Sequence, residues 1–186
     1  MASFAKGEVI GGYFGGTQRT DGGQVVGVSF NSFGATFSSL GFFDFGQDGL
    51  AASYQVGLWD SSQNLLASAT VTPTSPLIGD FRYASISPIT IGTFANPQTF
   101  TIGALLPASM PDVWLQATGL LLNAGFTGAG TGQFTPSGSL VYPTSFDSSP
   151  YYVVNAGGPI PEPSTLALFG LSLLGLAVVR FRRVRR

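Results

Sequence analysis

Along most of the chain, apolar and polar positions alternate in short runs broken by Gly, Pro, Asn and Ser, the pattern of half-buried strands rather than of helices. Val25 to Phe30 is a β-branched apolar run, and Thr36 to Phe43 comes after it across Asn31-Ser32-Phe33-Gly34. Tyr54-Gln55-Val56-Gly57-Leu58-Trp59-Asp60 has period two, with Tyr54, Val56 and Leu58 on one face and Trp59 on the other. Ser61-Ser62-Gln63-Asn64 turns this run into Leu65 to Val71, so the two predict a hairpin. Phe81 to Ile86 alternates again, Pro88 to Ile91 reads as a short edge piece, and Gln98 to Leu105 is a further strand. Val113 to Leu122 fits either a strand pair or a short helix. Ala124 to Gly138 reads as a Gly/Thr-rich loop, while Ser139 to Tyr142 and Tyr151 to Val154 are expected to close the sheets. Short strands at this spacing predict an all-β fold, an antiparallel β-sandwich or jelly roll.

The pattern changes at the C-terminus. Pro159, Pro161 and Pro163 keep the chain extended, because each fixes φ and pushes its predecessor out of the helical region. From Ser164, a residue type that caps helices, the chain is apolar to Val179, with Leu166, Phe169, Leu173 and Val179 on a helix that has no polar face. The fourteen residues from Leu166 to Val179 span roughly 21 Å as a helix, less than a bilayer core of about 30 Å. Arginines at 180, 182, 183, 185 and 186 favour the membrane over a core helix: they snorkel, and they mark a cytoplasmic flank. The expected organisation is a Gly-rich segment at 1–24 that can hold a first strand, a sandwich at 25–156 and a Pro-rich linker at 157–163. One short transmembrane helix at 164–179 and a basic tail at 180–186 complete it.

Pro161-Glu162-Pro163, then a short apolar helix, then a terminal arginine cluster, together resemble the PEP-CTERM sorting signal of Gram-negative bacteria. The resemblance implies an exosortase as partner, with Pro161, Glu162 and Pro163 as recognition residues and with membrane lipid around the helix. It further implies inner-membrane transit, removal of the tail, and delivery of the body to the cell surface or its exopolysaccharide. Met1 to Gly12 has neither the basic nor the apolar region of a secretory signal, so the native start is expected upstream. The central run also resembles a bacterial extracellular β-sandwich domain of unknown function. Leu40 to Asp44, Asp48-Gly49-Leu50, Val56 to Asp60, Leu65 to Val71, Phe81-Arg82-Tyr83 and Phe100 to Ala104 carry that resemblance. It departs from that pattern at Tyr54, where such domains often have a His.

Composition narrows the function. The net charge of −1 hides an acidic body, because Lys6, Arg19 and Arg82 are the only basic residues before the tail. A nucleic-acid partner is therefore not expected. The chain has no cysteine and no histidine, which removes thiol chemistry and every Ser-His or Cys-His nucleophile. No cofactor is expected, and the chain reads as a non-enzyme. Asp44 and Asp48 are weak Ca²⁺ candidates, and turn capping accounts for them more simply. A pair of aspartates acting as a glycosidase has no further support in the sequence. Trp59 and Trp114 are candidate glycan contacts, which keeps a carbohydrate-binding module as the alternative function.

Overall fold

The computed structural model describes residues 9–128 and 131–158. The regular structure of the described chain is strand apart from one 3-10 turn, beginning with β1 (Ile10–Phe14), β2 (Thr17–Asp21), β3 (Gln24–Ser32) and β4 (Ala35–Phe43). A 3-10 turn at Phe45–Gln47 precedes β5 (Tyr54–Asp60), β6 (Leu65–Val71), β7 (Leu77–Ile78), β8 (Phe81–Ile91) and β9 (Gln98–Leu106). Then come β10 (Ser109–Gln116), β11 (Gly119–Leu122), β12 (Phe126–Thr127) and β13 (Gly132–Pro136). β14 (Ser145–Asp147), β15 (Tyr151–Tyr152) and β16 (Val154–Gly157) close the order.

Two antiparallel sheets face each other. The larger runs β14-β13-β3-β9-β5-β6, with β12 also on β3, and the smaller runs β16-β4-β8-β7. Val26, Val28 and Phe30 on β3, Val56 and Leu58 on β5, and Ile102 and Ala104 on β9 share one core with Leu40 and Phe42 on β4. Aromatic contacts cross between the sheets: Phe42 stacks on Tyr54 at 3.8 Å and Phe30 meets Phe37 edge-on at 6.3 Å. Consecutive β3 and β4 lie in different sheets, so the turn between them is an arch. Gly34 takes φ +108 there, and Ser32 Oγ ties the arch by donating to the Ile91 carbonyl at 2.9 Å.

Several expectations are revised by long-range pairing. The Gly-rich opening supplies β1 and β2, which pair with β11 and β10 as part of the same folded unit. Val113 to Leu122 resolves as strands, and the expected loop at 124–138 holds β12 and β13. Its local composition hides them, because Phe126 is buried by a partner distant in sequence, stacking on Phe37 at 5.7 Å. Pro88 does not end a strand. β8 runs through it where the β4–β8 register shifts, at a bulge where a missing N–H is tolerated. Ser139 to Tyr142 is no strand but part of a strap over the outer face of the larger sheet. The expected helix at 164–179 lies outside the described residues.

Tyr54 gives the fold a pH dependence. The residue is fully buried, and its hydroxyl donates to Asp112, whose carboxylate also accepts the Ala51 N–H at 3.0 Å. Burial, then the bond to Asp112, raises the Tyr54 pKa, and burial with Asp147 raises that of Tyr151. The unfolded chain thus ionises first. The stabilisation is complete below the ordinary tyrosine value of 10.0 and is lost as pH rises above it. Urea midpoints are expected to fall steadily above about pH 10, and a flat profile would contradict the assignment.

Candidate functional site

The end of the folded body is built by β16, the terminal strand of the smaller sheet. It runs antiparallel to β4, with Val154 opposite Phe42 and Gly157 opposite Ser39, so the chain leaves toward the Ala35 end of β4. Ser39 Oγ donates to the Gly158 carbonyl at 2.9 Å. Asn155, fully buried, clamps the start of the described chain: its Oδ1 accepts the N–H groups of Val9 and Ile10 at 3.2 and 3.0 Å. Its Nδ2 donates to the Ile10 carbonyl at 2.8 Å. Both ends of the described chain are therefore joined at one sheet edge, and the segment after Gly158 starts from a fixed point.

Residues 159–183 match the PEP-CTERM protein-sorting motif. The motif begins directly behind the folded body, and Glu162 lies at most about 14 Å from Gly158 along an extended chain. PEP-CTERM signals are recognised by exosortase, so this is a sorted protein exported to the cell surface or extracellular space. Pro161, Glu162 and Pro163 fall within the match, as do Leu166, Phe169, Leu173, Val179, Arg180, Arg182 and Arg183. Those positions, with Arg185 and Arg186, lie outside the described residues. No curated protein and no solved structure matches the chain.

The body's candidate residues are placed otherwise than a glycan platform requires. Trp59 does point away from the core face, as its alternation predicts, yet it is only 3% exposed. Gly27, Gly103 and Gly57 align across β3, β9 and β5, and the Trp59 ring lies over Gly57. Tyr142 from the strap closes over it edge-on at 6.1 Å, with its hydroxyl 3.2 Å from that of Thr101. Trp114 is 1% exposed, packed edge-on against Tyr151 at 5.2 Å, with its Nε1–H donating to the Asp21 carbonyl. Neither tryptophan offers a face to a sugar.

Asp44 is buried as well. It accepts Arg82 Nε at 2.7 Å and the Gly49 N–H at 3.1 Å, while Arg82 also donates to the Ser75 carbonyl. A carboxylate so committed holds its own loop rather than a cation. Asp48 stays exposed, and among the described residues no three His, Cys, Asp or Glu side chains converge as a metal site.

At the same end of the sandwich is a depression of about 170 Å³ that the sequence does not announce. Tyr13 from β1 and Phe45 from the 3-10 turn flank it, 38% and 36% exposed, and Asp80 and Gln47 supply polar groups. Tyr13 rests on Tyr152 at 4.6 Å, and Phe45 meets Phe43 edge-on at 6.0 Å. The Asp80 carboxylate accepts the Gln47 side-chain N–H at 3.2 Å and the Tyr152 hydroxyl at 3.0 Å. Gln47 itself takes φ +58, a left-handed conformation uncommon for a side chain of its kind. Its N–H donates to the Asp44 carbonyl at 3.0 Å, so the Asp44–Arg82 pair and this turn form one rigid support.

Proposed function

We propose that the protein is a non-enzymatic component of the cell surface or its exopolysaccharide, placed there when an exosortase removes its C-terminal tail. The observation that carries this reading is the sorting motif at 159–183, set directly behind a folded antiparallel body. In this mechanism Pro161-Glu162-Pro163 is presented extended outside the inner membrane. The apolar run from Leu166 to Val179 occupies the bilayer as a short helix, and the arginines hold its end at the cytoplasmic face. The absence of histidine and cysteine from the chain supports a structural or binding role over nucleophilic catalysis.

The test is expression with the full upstream region in a host carrying an exosortase, comparing wild type with Glu162→Ala by mature mass and location. Wild type is expected outside the inner membrane as a body lacking the tail, and Glu162→Ala as an intact chain retained in the membrane. An intact, retained product in both strains would overturn the reading. The second reading, a glycan-binding module, loses its tryptophan contacts and is favoured instead by the depression beside Tyr13 and Phe45.

A further inference from the structure

We infer that the depression between Tyr13, Phe45 and Asp80 binds one neutral or amino-sugar residue of a glycan, and that it excludes uronates. The inference rests on the surface reading above and names the ligand class of a body that would otherwise only be delivered.

The ligand chemistry comes from the side chains. A pyranose ring presents a C–H face and a rim of hydroxyls. The negative faces of aromatic rings attract the former, and a carboxylate accepts from the latter. Tyr13 and Phe45 are aromatic rings left partly uncovered although each packs on a second, buried ring. The Asp80 carboxylate has one donor on each oxygen, which leaves lone pairs for sugar hydroxyls. At about 170 Å³ the depression is on the scale of a single ring rather than of a chain of them. A larger concavity of about 640 Å³ beside Ser53, Gln55 and Leu105 has neither an aromatic nor a charged side chain, so it offers nothing for stacking.

The site is also preorganised. Gln47 is held at positive φ, and Asp80 is fixed both by side-chain bonds and by its carbonyl, which accepts the Asp44 N–H at 2.9 Å. Holding these groups in place before binding removes an ordering cost that weak sugar contacts do not recover. Electrostatics then select the sugar. Arg82 compensates Asp44, whereas Asp80 forms no ion pair among the described residues, so the depression is net negative. A uronate meets like charge there, and a protonated amino sugar meets the opposite. Finally, the depression sits where β4 ends and β8 begins, and β16 runs away from that end. A body still joined to its tail would point this site away from the departing chain.

The experiment uses the full chain in detergent with trimers of glucose, glucosamine and glucuronate, read by saturation-transfer NMR and calorimetry. Glucosamine and glucose trimers are expected to bind and the glucuronate trimer to bind at least about 10-fold more weakly. Phe45→Ala and Tyr13→Ala should each weaken binding about 3- to 10-fold while keeping a cooperative unfolding transition above the assay temperature. Phe14→Ala, on the opposite face of β1, should leave it unchanged. Asp80→Asn should reduce the discrimination against glucuronate. Binding of none of the three trimers, a preference for glucuronate, or indifference to both aromatic substitutions would each overturn the inference. If the wild-type body is exported and released but binds no sugar, this inference alone fails. If the chain is never exported, the surface reading fails whatever the trimers do.

Discussion

A Gly27→Val protein is expected to lose its cooperative unfolding transition or to be destabilised by about 3 kcal/mol or more. β3 and β9 approach so closely at this point that a Cβ on Gly27 would sit 2.2 Å from the Ile102 carbonyl oxygen and 2.7 Å from the Gly103 Cα. Those are backbone atoms, so no rotamer change relieves the clash. β9 cannot retreat either, because it is hydrogen-bonded to β3 on one side and to β5 on the other. Glycine inside a strand generally marks such a close approach of another backbone. Gly138→Ala is the matched control, since its Cβ would meet nothing within 4 Å. Urea denaturation followed by circular dichroism separates the two, and equal midpoints for both variants would show that the sheets yield at a contact between backbones.

Asn155→Leu is expected to cost about 3 kcal/mol, although this side chain builds no part of the apolar core. Leucine has similar bulk, so the loss comes from hydrogen bonding. The Ile10 N–H and carbonyl are both left without the Asn155 amide in a region where Ile10 is 1% exposed. Val9 retains one bond, from its N–H to the Ala156 carbonyl at 3.0 Å. The consequence is local before it is global: β1 should detach from the β16 edge, and amide exchange at Ile10 should accelerate well ahead of exchange at Val26 or Ile102. Unchanged protection at Ile10 would show that pairing with β11 alone holds the segment. Because β16 is also the strand from which the sorting motif departs, the same substitution loosens the fixed point that precedes exosortase recognition.

The central strands were legible in the sequence because their periodicity is a local property. Tyr54, Val56 and Leu58 declare one buried face, and the hairpin to Leu65–Val71 is announced by the polar turn between them. The tail was legible for the same reason. Prolines, an apolar run and an arginine cluster lie in order within a few residues, and the match over 159–183 needs no tertiary contact to define it. The aromatic depression was not legible. Tyr13 stands in a Gly-rich opening without clear alternation, Phe45 and Gln47 stand in a loop singled out only for its aspartates, and Asp80 stands beside an ordinary Gly79 turn.

Local pattern and composition suffice for an antiparallel β body, for the absence of His and Cys nucleophiles from the chain, and for a sorting motif after the body. Which aromatic residues face solvent is set by packing between distant segments. Alternation places Trp59 off the core face, but a strap from beyond β13 brings Tyr142 over it, while Tyr13 and Phe45 remain partly exposed. Period two specifies the side of a strand on which a residue lies. Whether that side meets water depends on which distant segment crosses it, and that is set by the packing of the whole chain rather than by the neighbours of any one residue.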